Sequence, residues 1–232
     1  MELKTTDVGI IVFARMNSSR LPHKAMKKMG SFPLVERVLR RAQLTGHQVV
    51  LATSDKSDDN ILEITAINAG MHCFRGSEDH VLERAVLASE KFGFKAFARL
   101  CGDRPLFSIK EMKFAIAAWV NAESAEKPDL ITNHYPEKCV RGLTTEVINT
   151  KTLRLQLENN PDAEQQEHLT AGFYRHPELY HIKSLKPRYA KWSKHPGFAV
   201  DTEEDFKVIS QFIHKHPDLD YELEAEEVEL IK

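Results

Sequence analysis

Short unbroken apolar runs alternate along the chain with stretches in which apolar side chains recur every three or four positions, a pattern that predicts buried strands between covering helices. The first run, Val8 to Ala14, reads as a strand. Pro33 stands where the first residue of a helix is expected, and Leu34, Val35, Val38, Leu39 and Ala42 then keep one face apolar. Gln48 to Thr53 reads as a second strand with Ser54 and Asp55 as its exit. A helix from Asn60 to Ala69 follows, stopped by Gly70, and Met71 to Arg75 makes a short third strand. Ser77 is the expected N-cap of a helix from Val81 to Phe92 that ends at Gly93. Lys95 to Leu100 makes a fourth strand, and Ser108 with Glu111 has the spacing of a capping box for the next helix.

The second half is less regular. Asp129 to Thr132 reads as a strand, the pattern loosens from Asn133 to Val140, and Arg141 to Ile148 reads as extended. Helices are expected near Thr152 to Leu157 and from Ala163 to Tyr174, with strands from Leu179 to Leu185 and from Phe198 to Val200. Thr202 with Asp205 caps the helix after that. The acidic ELEAEEVEL lacks basic partners at helical spacing, so about 214–232 reads as a solvated peripheral helix. No repeat or linker divides the chain, and the expectation is one α/β domain over 1–232, its mostly parallel mixed sheet covered by helices on both faces.

Composition narrows the partner. With 42% hydrophobic and 28% charged residues the chain belongs among globular proteins, and its formal net charge of -2 gives no general pull toward nucleic acid or an anionic membrane. Cys73, Cys101 and Cys139 are far apart with no CxxC pair, which fits a reducing compartment and neither a disulfide framework nor a zinc site. The start MELKTTDVGI has neither the basic nor the apolar region of a secretion signal, and no apolar stretch approaches the roughly 20 residues that span a bilayer. A cytoplasmic location is the resulting expectation.

Against that near-neutral total, Arg15, Arg20 and Lys24 crowd into the loop behind the first strand. In an open α/β sheet ligands bind beyond the carboxyl ends of the strands. Asp103 follows the fourth strand and Asp201 a late one, so the fold inference brings three cations and two carboxylates to one edge. Cations can hold a polyphosphate, and aspartates can hold a magnesium ion that bridges phosphate oxygens. No GxxxxGK[ST] and no GxGxxG after the first strand occur, so a Walker-type ATPase and a dinucleotide oxidoreductase are not expected.

The loop ARMNSSRLPHK (14 to 24) resembles the ARxxSxRLPGK loop of the sugar-acid cytidylyltransferases, which include the CMP-sialic acid and CMP-3-deoxy-manno-octulosonate synthetases. ATSDKSDDN, FRGSEDHVLERA, RLCGDRPL, RGLTTEV, EHLTAGFYRHPE and AVDTEEDF follow in the order shown by the spore coat polysaccharide branch, to which the resemblance is closest. The resemblance implies a Rossmann-like, GT-A-like nucleotidyltransferase fold and transfer of CMP from CTP to a sugar-acid hydroxyl, with magnesium as cofactor and a homodimeric assembly. By position it implies that Arg15 and Lys24, with Ser19 and Arg20, grip the phosphates and that the backbone at Ala14 approaches the base. Arg75 would lie near the nucleoside, with Thr53, Ser54 and Asp55 on the same rim. Asp103 and Asp201 match the metal-binding aspartates, and Arg15, Lys24, Asp103 and Asp201 together would form the catalytic set. Arg104, Arg141, Thr144, Glu146 and His168 would face the sugar.

Several positions depart from the family pattern. His23 stands in place of a glycine, Arg104 in place of an uncharged or acidic residue, and Thr144 where the spore coat branch has aspartate. A glycosyltransferase of related fold and a non-catalytic nucleotide-binding protein are the alternative readings.

Overall fold

The computed structural model describes residues 7–186 and 197–215. Strand β1 (Val8–Phe13) leads through a loop into the two-residue ladder of β2 (Lys28–Met29) and β3 (Phe32–Pro33), then α1 (Leu34–Gln43). Strand and helix then alternate as β4 (Val49–Ser54), α2 (Asn60–Asn68), β5 (His72–Gly76), α3 (Val81–Lys91), β6 (Ala96–Cys101) and α4 (Ile109–Val120). The remainder is β7 (Leu130–Thr132), β8 (Glu146–Asn149), α5 (Thr150–Glu158), α6 (Ala163–Glu167), α7 (Ala171–Arg175), β9 (Ile182–Ser184) and α8 (Glu203–His214).

Seven strands form one sheet in the order β5-β4-β1-β6-β8-β7-β9. All neighbours are parallel except β8, which runs antiparallel to both β6 and β7. The expected mixed, mostly parallel sheet is therefore present. Its burial explains the unbroken apolar runs. Val8, Ile10 and Val12 of β1 pack into one cluster with Leu34 and Val38 of α1, Leu62 of α2 and Ile116 of α4. Ile11 turns the other way into a second cluster with Leu82 and Val86 of α3, Leu153 of α5 and Phe173 of α7. A strand sandwiched in this way has apolar residues at both parities, because successive side chains point to opposite faces. Gly9 is small for the same reason, since a Cβ there would lie 2.1 Å from Phe94 Cζ.

Several local expectations are corrected. Pro33 closes the β2–β3 ladder opposite Lys28 and precedes α1 instead of opening it. Ser77 does not cap α3; His80 takes that position, and Ser77 Oγ accepts from His80 N at 3.2 Å in the turn before it. The helix expected from 163 to 174 breaks at His168, whose backbone turns to φ -114° and ψ 85°, leaving Leu169 in the core. Of the extended stretch 141–148 only Glu146 onward enters the sheet. Phe198 to Val200 is no strand, because it meets two loops and no neighbouring strand: Phe198 N donates to Arg141 O at 2.7 Å and Val200 N to Asp103 O at 2.8 Å. The capping box of Thr202 and Asp205 on α8 is present. The acidic helix expected over about 214–232 lies almost wholly outside the described residues. No helix among the described residues is long and apolar enough to cross a membrane.

Candidate functional site

The site grows from the register of two neighbouring strands. Phe13 at the end of β1 lies level with Cys101 at the end of β6, so the loops that follow leave the sheet side by side. Gly102 N donates to Phe13 O at 2.8 Å, and a Cβ on Gly102 would come within 2.8 Å of Ala14 Cβ. Only a residue without a side chain lets the two loops meet so closely. The backbone then carries Arg15, Arg20 and Lys24 toward Asp103. His23 adopts φ 57°, a left-handed conformation that favours glycine.

Lys24 Nζ lies 2.8 Å from Asp103 Oδ2, 2.8 Å from Val200 O and 3.4 Å from Asp201 Oδ1. Arg20 reaches Asp201 Oδ1 at 2.9 Å, and Arg141 reaches Asp201 Oδ2 at 2.7 Å. Burial works to raise the Asp201 pKa, but the hydrogen bond from Arg141 and the charges of Lys24 and Arg20 outweigh it, so the carboxylate is held below its ordinary range. Asp205, which takes Arg141 and the Asp201 and Thr202 amides, is drawn down to about 2 despite its partial burial. Two carboxylates and a carbonyl thus approach one point that an ammonium fills. That all-oxygen set suits a hard divalent cation, which takes one or two carboxylates and completes its shell with water and phosphate oxygens. Among the described residues no three His, Cys, Asp or Glu side chains form a larger metal group.

Two cavities meet at this point. The first, about 270 Å³, is lined by Ala14, Arg15, Ser19, Arg20, Lys24 and Arg84, with Asp103 and Asp201 at one end. The second, about 260 Å³, shares Asp103 and Asp201 and continues along Arg104, His134, Arg141 and Thr144. Arg104 donates to Thr144 O at 3.0 Å. Two of the three departures from the family pattern are therefore in contact, on the wall of the second cavity.

Other expected site residues are placed elsewhere. His168 lines the first cavity beside Glu167, which lies 3.8 Å from Arg15, rather than the second. Thr53 and Ser54 are fully buried, and both hydroxyls donate to Asp59 Oδ2, at 2.9 and 2.6 Å. Asp59 also accepts from Ser54 N at 3.0 Å and Met16 N at 2.7 Å, so it ties the cationic loop to the end of β4. Its burial would raise its pKa, yet these hydrogen bonds outweigh that and lower it. Arg75 donates to Ser54 O, Lys56 O, Asn60 and Glu63, and with Asp55 it stands outside the lining of the first cavity. Glu146 is 2% exposed and lines neither cavity. Its oxygens are taken by Arg99 at 2.7 Å and by the Tyr174 hydroxyl at 2.7 Å. The direct contacts expected of Thr53, Ser54 and Glu146 give way to supporting roles, because a buried polar group must be satisfied internally. Sequence reasoning missed Asp59, Arg84 and His134. Asp59 carried a signal in its acidic neighbourhood at the head of a helix and Arg84 in its place within FRGSEDHVLERA, whereas His134 carried none.

A cytidylyltransferase family model matches residues 9–227 of the chain. The spore coat polysaccharide biosynthesis protein SpsF of Bacillus subtilis is 31% identical over 219 residues, covering 90% of this chain and 87% of SpsF. Among solved structures, a cytidylyltransferase from Leptospira borgpetersenii matches with a TM-score of 0.80 at 23% identity, over 94% of this chain and 98% of its own. A CMP:2-keto-3-deoxy-manno-octonic acid synthetase complexed with CTP matches with a TM-score of 0.68 at 16% identity, over 91% of this chain and 100% of its own. At these identities the two structures speak for the fold.

Proposed function

Because the chain belongs to the cytidylyltransferase family, we propose that it transfers CMP from CTP to a hydroxyl of a sugar acid and releases pyrophosphate, as a step in building a surface or coat polysaccharide. The observation that carries this reading is the convergence of Lys24 on Asp103 and Asp201 where two cavities of similar size meet. One cavity has the cations a triphosphate needs, and the other has room for an acceptor. SpsF is named for spore coat polysaccharide biosynthesis, and the synthetase with CTP is named for a keto sugar acid, which supports the choice of substrates.

In this reading Arg15, Arg20 and Lys24 bind the β and γ phosphates, and Ala14 with Gly102 lets the nucleotide lie close to the backbone. The sugar oxygen attacks the α-phosphorus, the bond from that phosphorus to the oxygen bridging to the β-phosphate breaks so that pyrophosphate leaves with the bonding pair, and the hydroxyl proton passes to solvent water. The charge that moves onto pyrophosphate is met by fixed cations, so catalysis is positioning and electrostatic stabilisation without a covalent nucleophile. A magnesium ion held by Asp103 and Asp201 would neutralise the α-phosphate and lower the pKa of the attacking hydroxyl. Arg20 and Arg141 keep Asp201 ionised and oriented from opposite oxygens. Arg104, Arg141 and Thr144 would face the acceptor. The homodimer belongs to the same reading, and light scattering of the purified protein checks it.

A pyrophosphate-release screen tests the proposal, pairing each of four nucleoside triphosphates with keto sugar acids and with neutral sugars. Release that requires both CTP and a sugar acid is expected. Release with neutral sugars alone overturns the acceptor class, and CTP binding without release across the whole panel favours a nucleotide-binding protein without this activity.

A further inference from the structure

Arg84 lies in the first turn of α3 and is 3% exposed, yet it forms part of the wall of the first cavity. Its stem packs under Gly76, where an added Cβ would lie 3.2 Å from Arg84 Cγ. One end of the guanidinium is fixed, since Nη1 donates to Ser77 O at 2.6 Å. The buried Nε has no hydrogen-bond partner, and among the described residues no carboxylate forms an ion pair with Arg84. A desolvated cation without a counterion is costly and is rarely left so. Arg15 lines the same cavity, and burial first, then the field of Arg15, push the Arg84 pKa down to about 10 against the opposing fields of Asp59, Glu78 and Asp55, none of whose carboxylates pairs with it directly. Two like charges beside one cavity are relieved by an anion between them; a neutral carbonyl would leave the repulsion in place.

We propose that Arg84 is a further nucleotide-binding residue that grips an anionic phosphate oxygen of the substrate from the α3 wall, opposite the grip of the cationic loop. This rests on the nucleotide reading above, and it adds a residue from a helix to a phosphate site otherwise built from loops. The fixed Nη1 sets the plane of the guanidinium, so the remaining donors need no reordering when the phosphate arrives.

Calorimetry with CTP, CMP and cytidine on the wild-type protein, Arg84→Gln and Arg84→Lys tests the assignment, with thermal melts to establish that each variant is folded. Arg84→Gln is expected to weaken CTP by about tenfold or more, the scale of hydrogen bonds to a charged group, while leaving cytidine unchanged. Arg84→Lys should recover part of the loss, because it keeps the charge and not the planar fork. Unchanged CTP affinity in a folded Gln variant, or equal weakening of CTP and cytidine, overturns the phosphate contact. Should the Gln variant not fold, unchanged CTP affinity in the Lys variant overturns it equally. A wild-type protein that binds no CTP at all sinks the functional reading itself and this inference with it, which separates the two failures.

Discussion

Lys24 and Asp103 are 79 residues apart and joined by a 2.8 Å bond between Nζ and Oδ2. The contact exists because β1 and β6 are adjacent and in register, so the loop after one strand reaches the turn after the other. Asp201 joins from a third segment, 177 residues from Lys24.

In the proposed reaction, Asp103→Asn and Asp201→Asn each remove one carboxylate from the point where charge develops. Each variant is expected to bind CTP and to lose about 100-fold to 1000-fold in turnover, the range for a single electrostatic contact to a reacting group. Steady-state pyrophosphate release with calorimetry checks this, and near-normal turnover in either variant removes that aspartate from the mechanism.

Asp59→Ala should loosen the cationic loop. It deletes the acceptor of four hydrogen bonds, from Met16 N, Thr53 Oγ1, Ser54 N and Ser54 Oγ. A loss of stability on the order of 3 kcal/mol is expected, as buried donors are left unsatisfied. The KM for CTP should rise more than kcat falls, since the residue positions the loop and touches no reacting atom. A kcat loss at unchanged KM would contradict that role.

Glu146→Gln tests the ion pair beneath the sheet. Burial would raise the Glu146 pKa, but the charges of Arg99 and Arg104 and the hydrogen bonds from Arg99 and Tyr174 outweigh it and lower it. A depressed folded-state pKa means that the carboxylate stabilises the fold fully above its ordinary value of 4.5, and that this contribution fades as pH falls through the lower folded value. Removing one charge of a buried pair costs about 3–5 kcal/mol near neutral pH. Denaturant melts at several pH values should therefore show wild type and variant drawing together below pH 4.5. A gap that stays constant with pH would assign the loss to packing.

His23→Gly relieves a side chain held at φ 57°. The left-handed conformation costs an L residue roughly 1–2 kcal/mol, partly offset by the greater freedom of glycine in the unfolded chain. A gain of up to about 1 kcal/mol is expected, read as a rise of a few degrees in Tm, with CTP affinity little changed. A fall in Tm would mean that the imidazole makes a contact worth more than the strain.

Elements with a strong period were legible in the sequence to within a residue or two: β1, β4, α1, α3 and β6 follow the apolar pattern directly. The convergence of Lys24, Asp103 and Asp201 on one edge was legible too, since residues at the carboxyl ends of strands share an edge whenever the sheet forms. That Thr53, Ser54 and Glu146 turn inward to buried partners was not legible, for a common reason. A polar residue at a strand end looks the same in sequence whether it faces a ligand or a buried partner.

Apolar periodicity is local, and it determined the α/β class, the covered sheet and the segments that carry charge to its edge. Partner choice is not local. The antiparallel turn of β8 sets Glu146 level with Arg99 and seals it in, and Asp59 captures Thr53, Ser54 and the Met16 amide 43 residues away. Those outcomes belong to the tertiary structure, because which buried donor meets which acceptor follows from strand order and register, and neither is written in any single stretch of the chain.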